Sequence, residues 1–201
     1  MLPAALLALL TLCIQPGGRQ LAVRWAMGLA VAIAVTAASK VLFMGWGLGS
    51  AALNFTGVSG HTLLATAVFP VVLPLFGSPA ASHRRNMLFA VGCLLALLIG
   101  VSRLVLHAHS PSEVLAGWAL GGGVAVWVHR HPAPAVFPHR PVIAGVLVAC
   151  IALALYSVDH SPSHALITRV ALQLSGQPEP HSRAAMLARS ATAHAQRLLQ
   201  P

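Results

Sequence analysis

Acidic residues are nearly missing from this chain. Among 201 residues only 3 are Asp or Glu, against 12 Lys or Arg. All charged residues together make up 7%, where a soluble domain carries about 25%. That scarcity excludes an ordinary soluble fold and leaves no carboxylate cluster for a magnesium centre. Cysteine is scarce as well. Cys13, Cys93 and Cys150 each lie inside an apolar run, where they read as small buried hydrophobes rather than as disulfide or metal partners. The excess of positive charge, +9, would suggest nucleic acid in a soluble protein. Here the basic residues are dispersed among apolar stretches with no aromatic-basic patch, so nucleic acid is excluded. They fit better as loop residues that set membrane orientation and meet anionic headgroups. No internal repeat is evident.

What the chain has instead is long apolar runs, with 57% hydrophobic residues. Residues 2–14 form a short first span with no positive charge before it, unlike a signal peptide. After a turn at Gln15–Gln20 comes a second span from Leu21 to Ala38, followed by Lys40. Gly45–Gly49 and Asn54–Gly57 make a glycine-rich loop. A third run extends from His61 to Phe76, and a basic loop covers Gly77–Asn86. Met87–Val101, Val114–Val128 and Val142–Val158 complete the set, the last two separated by the Pro-, His- and Arg-rich His129–Pro141. These runs predict an all-α fold, a polytopic membrane bundle of about six transmembrane helices over residues 1–158. Residues 159–201 read as a polar basic tail, partly disordered or interfacial, with helical apolar spacing at Leu166–Leu174. Trp25, Trp46, Trp118 and Trp127 lie near span ends, as interfacial anchors do. Connections after the odd-numbered spans hold the arginine pairs Arg19 and Arg24, Arg84 and Arg85, and Arg130 and Arg140, so these face the cytoplasm.

Two polar stretches then fall on the opposite face. One is Ser59-Gly60-His61, at the start of the third run. Ser is a favoured N-cap, and a helix beginning there points its free amides and positive dipole end at an anion. The other runs from Ser102-Arg103 through His107 and His109 to Glu113. An arginine fork grips phosphate well. Ser110-Pro111-Ser112-Glu113 reads as a capping box with proline at the first helical position. Glu113 also lies four residues after His109, close enough to orient its imidazole and raise the nucleophilicity of the far nitrogen. Plain structural readings stand beside these: a cap with an interfacial histidine, a snorkelling arginine, and a glutamate that only caps. The remaining histidines, on loops and tail, read as solvent-facing.

Taken together, Lys40, Ser59-Gly60-His61 and Ser102-Arg103…His109…Glu113 resemble the motifs of the type 2 phosphatidic acid phosphatase superfamily, membrane branch. That superfamily also includes bacterial acid phosphatases and vanadium haloperoxidases. The resemblance covers about residues 20–130. Two departures stand out. Where the family's first motif ends in Arg-Pro, this chain has Gly47-Leu48, and where the third ends in Asp it has Glu113. The resemblance implies a metal-independent phosphatase, with no cofactor, acting on a lipid phosphate or lipid pyrophosphate such as phosphatidic acid, phosphatidylglycerol phosphate or polyprenyl pyrophosphate. It implies His109 as nucleophile forming a phosphohistidine, Glu113 orienting it, and His61 as acid and base. Lys40, Ser59, Gly60 and Arg103 would bind the phosphate. It also implies an integral protein of a bacterial inner membrane with its site on the periplasmic side. The missing Arg-Pro supports an alternative, a non-catalytic protein of the same fold that binds or transports anionic lipid. A haloperoxidase-like oxidase is a weaker reading, because that branch is soluble.

Overall fold

Long runs of Ala, Leu and Val without internal Pro or capping residues favour helix, and helix is what they form. The computed structural model describes residues 2–14, 17–76, 82–131 and 162–198, with single positions at 145 and 148. Among these residues the helices are α1 (Leu2–Ile14), α2 (Arg19–Trp46), α3 (Gly60–Val72), α4 (Ser82–Val105), α5 (Pro111–Arg130), α6 (Pro162–Ser175) and α7 (Arg183–Leu198). The described residues contain no strand, only an isolated bridge between Ser50 and Phe55.

Two of these helices, α2 with 28 residues and α4 with 24, are long and apolar enough to cross a membrane. At 1.5 Å per residue they measure about 42 and 36 Å, beyond a hydrocarbon core of about 30 Å. The expectation of about six such spans is not met among the described residues. The third run yields only the 13 residues of α3, because Pro70 removes a ladder donor and the chain tightens into a 3₁₀ turn at Leu73–Phe76. α1 has 13 residues, and α5, though it has 20, is diluted by glycines and by Glu113, His129 and Arg130. The run at Val142–Val158 lies almost wholly outside the described residues.

Helix ends also move. Lys40, expected in a connection, sits inside α2, which continues to Trp46 and stops where Gly47 takes the left-handed conformation at φ 69°. There the Gly47 and Leu48 amides donate back to the Phe43 and Leu42 carbonyls, closing the helix end. α4 begins at Ser82, so half of the expected basic loop is helical. α5 starts as the capping box predicts, with Ser110 at the cap and Pro111 first in the helix.

The core sits where α3 packs between α4 and α5, with Leu63, Ala65, Ala67, Val68 and Phe69 all nearly inaccessible. Close approach of α3 and α5 depends on Gly117 and Gly121, one turn apart on α5. A methyl group on Gly117 would lie 2.9 Å from the Ser59 carbonyl, and one on Gly121 would strike the Leu63 carbonyl. This small-xxx-small spacing lets backbones touch, and it draws Ser59 and Glu113 together. Trp25, expected as an interfacial anchor, is wholly buried instead, its indole N–H donating to the Ala67 carbonyl at 2.9 Å. Trp46 and Trp127 remain exposed. Cys13 is exposed and Cys93 half-buried, so neither is the fully buried hydrophobe the sequence suggests, and Cys150 lies outside the described residues.

The outward faces are apolar. Val23, Met27, Val31 and Val35 repeat every four residues along α2, and Leu94, Leu97, Leu98, Val101 and Val105 do the same work on α4; all are exposed. The C-terminal stretch carries structure of its own. α6 packs along α2, placing Ala171 in full burial.

Candidate active site

The end of α2, the start of α3, the end of α4 and the start of α5 meet at one end of the bundle. Backbone hydrogen bonds tie them: the Ser59 amide donates to the Glu113 carbonyl at 3.1 Å, and the Val58 amide to the Ser39 hydroxyl at 3.1 Å. The glycine-rich loop is bound into this end as well. Gly57, at φ 144°, presses against the Lys40 stem, and the Ser112 hydroxyl donates to the Leu53 carbonyl at 2.8 Å.

Glu113 is the centre of the arrangement. Its side chain is completely buried, and a buried carboxylate must be hydrogen-bonded to be tolerated. One oxygen, Oε2, accepts from His109 Nδ1 at 2.8 Å and from the Ser110 amide at 3.2 Å. The other, Oε1, accepts from the Thr56 amide at 2.8 Å and the Thr56 hydroxyl at 2.6 Å. Nη2 of Arg183 donates to both oxygens at 2.7 Å. The glutamate therefore caps α5 and holds His109 at once, so the capping and orienting readings are both realised in the geometry.

With Nδ1 on Glu113, the His109 ring leaves Nε2 without a partner among the described residues. The side chain retains 18% of its exposure. His107 is exposed, and its φ of 52° turns it away on a strained corner between α4 and α5. Between the two histidines, His109 is the one joined to Glu113.

The cations form a second group. Arg103 is 7% exposed, yet among the described residues no carboxylate pairs with it; its only side-chain bond is a 3.4 Å contact from Nε to the Ser102 hydroxyl. Lys40 is half-buried and likewise has no ion pair there. Both are near enough to His61 for their charges to act on its imidazole, and His109 is too. Lys40, Arg103 and His109 therefore lie in the neighbourhood of His61. Ser59 stands at the N-cap position of α3, but its side chain makes no capping bond: it is fully buried, and its hydroxyl shares a 2.9 Å bond with the Thr62 hydroxyl. Of Ser59-Gly60-His61, then, Gly60 and His61 are half-buried, while the serine is fully buried. Among the described residues no group of three or more His, Cys, Asp or Glu side chains is placed to hold a metal ion.

Two residues at the carboxylate escape a reading of motifs. Thr56 lies in the glycine-rich loop, and Arg183 lies 70 residues beyond Glu113 in the tail. The available signal was arithmetic: with 3 acids against 12 Lys or Arg, a buried glutamate draws an arginine from somewhere. Which arginine is a matter of folding. Some histidines read as solvent-facing are also engaged: His129 contacts Asn86 at 3.1 Å and stacks on Phe89, and His181 lies against Gly47.

Comparison with known proteins agrees with this layout. A family model described as the PAP2 superfamily matches residues 46–136, a segment that starts beyond Lys40 and holds both polar stretches. An uncharacterized 22.5 kDa protein in the cps region of Klebsiella pneumoniae is 34% identical over 189 residues, covering 91% of this chain and 90% of that one. Phosphatidylglycerophosphatase B of Bacillus subtilis (strain 168) is 33% identical over 70 residues, 34% of each chain. No solved structure matches. The sequence motifs, the helical site and the family match agree, and this chain belongs to the PAP2 superfamily.

Proposed function

We propose that this protein is an integral-membrane phosphatase that hydrolyses a lipid phosphate or lipid pyrophosphate through a phosphohistidine. The observation that carries the reading is the His109 Nδ1–Glu113 Oε2 bond of 2.8 Å, together with a buried Arg103 that has no carboxylate partner among the described residues. A carboxylate on Nδ1 holds the tautomer in which Nε2 is nucleophilic, and a buried cation without a carboxylate is costly unless an anion visits it.

In the first step His109 Nε2 attacks phosphorus and the bond to the lipid oxygen breaks. His61 donates a proton to that departing oxygen. In the second step water attacks the phosphohistidine, His61 takes its proton, and the P–N bond breaks to release inorganic phosphate. Arg103, Lys40 and the amides at Gly60 stabilise the equatorial oxygens, with Ser59 holding the helix start that presents those amides. The chemistry needs no metal ion.

The apolar exposed stripes of α2 and α4 support a membrane location, with residues 1–158 as the embedded part. The gathering of both polar stretches at one bundle end supports a single site at one membrane face, the periplasmic face by the arginine bias. Phosphatidylglycerol phosphate joins phosphatidic acid and polyprenyl pyrophosphate as a candidate substrate, given the partial similarity to a phosphatidylglycerophosphatase. One observation favours a second reading: Gly47-Leu48 stands where the family motif has Arg-Pro, which suits a protein that binds anionic lipid without turnover.

Phosphate release from a panel of detergent-solubilised lipid phosphates, with EDTA present, separates the two. Release by wild type and none by His109→Ala is the expected result. Binding without release from any lipid would leave the non-catalytic reading.

A further inference from the structure

The tail reaches the site through a defined path. α6 lies along α2, close enough that a methyl group on Gly45 would sit 3.2 Å from the Ala171 carbonyl. Gly176 turns the chain at φ 68°, and the following strap is pinned where the His181 amide donates to the Met44 carbonyl at 2.9 Å. The His181 ring covers Gly47, and Met186 sits near Gly49. Arg183, the first residue of α7, is delivered between these contacts to Glu113 and Thr56.

We infer that Arg183, together with Thr56, is a positioning residue of this active site, acting on His109 through Glu113. The inference rests on the phosphatase reading above and extends it to the C-terminal segment. A glutamate side chain has three rotatable bonds, and a capping contact at Oε2 alone leaves its carboxylate free to turn. Arg183 Nη2 touches both oxygens, while Thr56 holds Oε1 with its amide and its hydroxyl. Together they fix the carboxylate plane so that Oε2 stays on His109 Nδ1. Charge-assisted bonds of 2.7 Å are the strong kind, and the Arg183 side chain is two-thirds shielded from solvent.

The same contact settles a problem of charge. Lys40 feels the Glu113 charge, and a carboxylate with only neutral donors would draw the nearest cations onto itself. Arg183 supplies that neutralising charge through bonds to both carboxylate oxygens. Lys40 and Arg103 are thereby left for the anionic substrate. The chain that lacks an arginine after Lys40 thus brings one from 127 residues beyond Thr56, but to the carboxylate rather than to the phosphate volume.

The test uses the full-length protein in detergent with the preferred lipid phosphate, comparing Arg183→Ala, Arg183→Lys, Glu113→Gln and the Arg183→Ala/Glu113→Gln double variant. Arg183→Ala should lower kcat about tenfold or more with KM within about twofold, the pattern of a misaligned reacting group. Arg183→Lys should recover part of that loss, because it restores the charge. In the Glu113→Gln background, removing Arg183 should cost less than about twofold further, since groups acting through one another are not additive. Amide hydrogen exchange gives a readout independent of turnover: the Thr56 amide should exchange faster in Arg183→Ala, with α3 unchanged. Wild-type kcat in Arg183→Ala, a rise in KM alone, or fully multiplicative losses would each overturn the inference. If the wild type releases no phosphate, the phosphatase reading falls, and unchanged exchange at Thr56 would remove the clamp as well.

Discussion

The two charged halves of the site are treated in opposite ways. Glu113 is saturated: imidazole, hydroxyl, amides and guanidinium fill its oxygens, and no solvent reaches it. Arg103 and Lys40, at the same end of the bundle, have no anionic partner among the described residues. A protein this poor in acids has few ways to neutralise buried cations, yet the buried carboxylate of Glu113 is committed to a tail arginine. On the proposed function, the difference is that the carboxylate is built as fixed structure and the cations as a receptor. One half should answer to stability measurements, the other to substrate.

Removing Arg103 is the sharpest test of that division. On the proposed mechanism, Arg103→Ala should cost about a hundredfold or more in kcat/KM, since it would delete a donor to transition-state charge. Thermal unfolding in detergent should be unchanged or shifted upward, because a buried unpaired cation is removed. A large loss of thermal stability would show that Arg103 is structural and break the comparison. Glu113→Ala should do the reverse in kind. It strips α5 of its cap, leaves Arg183 unpaired, and should destabilise the fold by about 3 kcal/mol while also reducing kcat. Unfolding midpoint and kcat measured on the same preparation check both effects. A smaller change is expected for Lys40→Met, a rise in KM for the phosphate substrate of about tenfold with the midpoint preserved. Least of all, Trp25→Phe should lower stability by about 1 kcal/mol through the lost bond to Ala67 and leave turnover intact.

The capping box at Ser110–Glu113 was fully legible, because a cap is local: every atom involved lies within four residues. So was the His109–Glu113 pair, since residues four apart on a helix entry share a face. The long apolar runs announced α2 and α4 for the same reason, composition over a window. Trp25 shows where that stops. Its place near a span end suggested an interfacial anchor, but α2 turns this face toward α3, where the Ala67 carbonyl accepts its N–H. Lys40 was assigned to a connection because a charge commonly ends a span. Inside the helix it is half-buried, with the Gly57 backbone of the loop against its stem.

By itself, then, the amino-acid order determined helices, the cap of α5 and the residue types that gather at the candidate site, all consequences of interactions spanning a few residues. Tertiary structure decided which cations stay free and which arginine is consumed. Arg183 and Thr56 meet Glu113 across separations of 70 and 57 residues, and no periodicity or spacing encodes such a meeting. It follows only when α6 docks along α2 and the strap through His181 carries the guanidinium to a carboxylate that burial has left in need of charge.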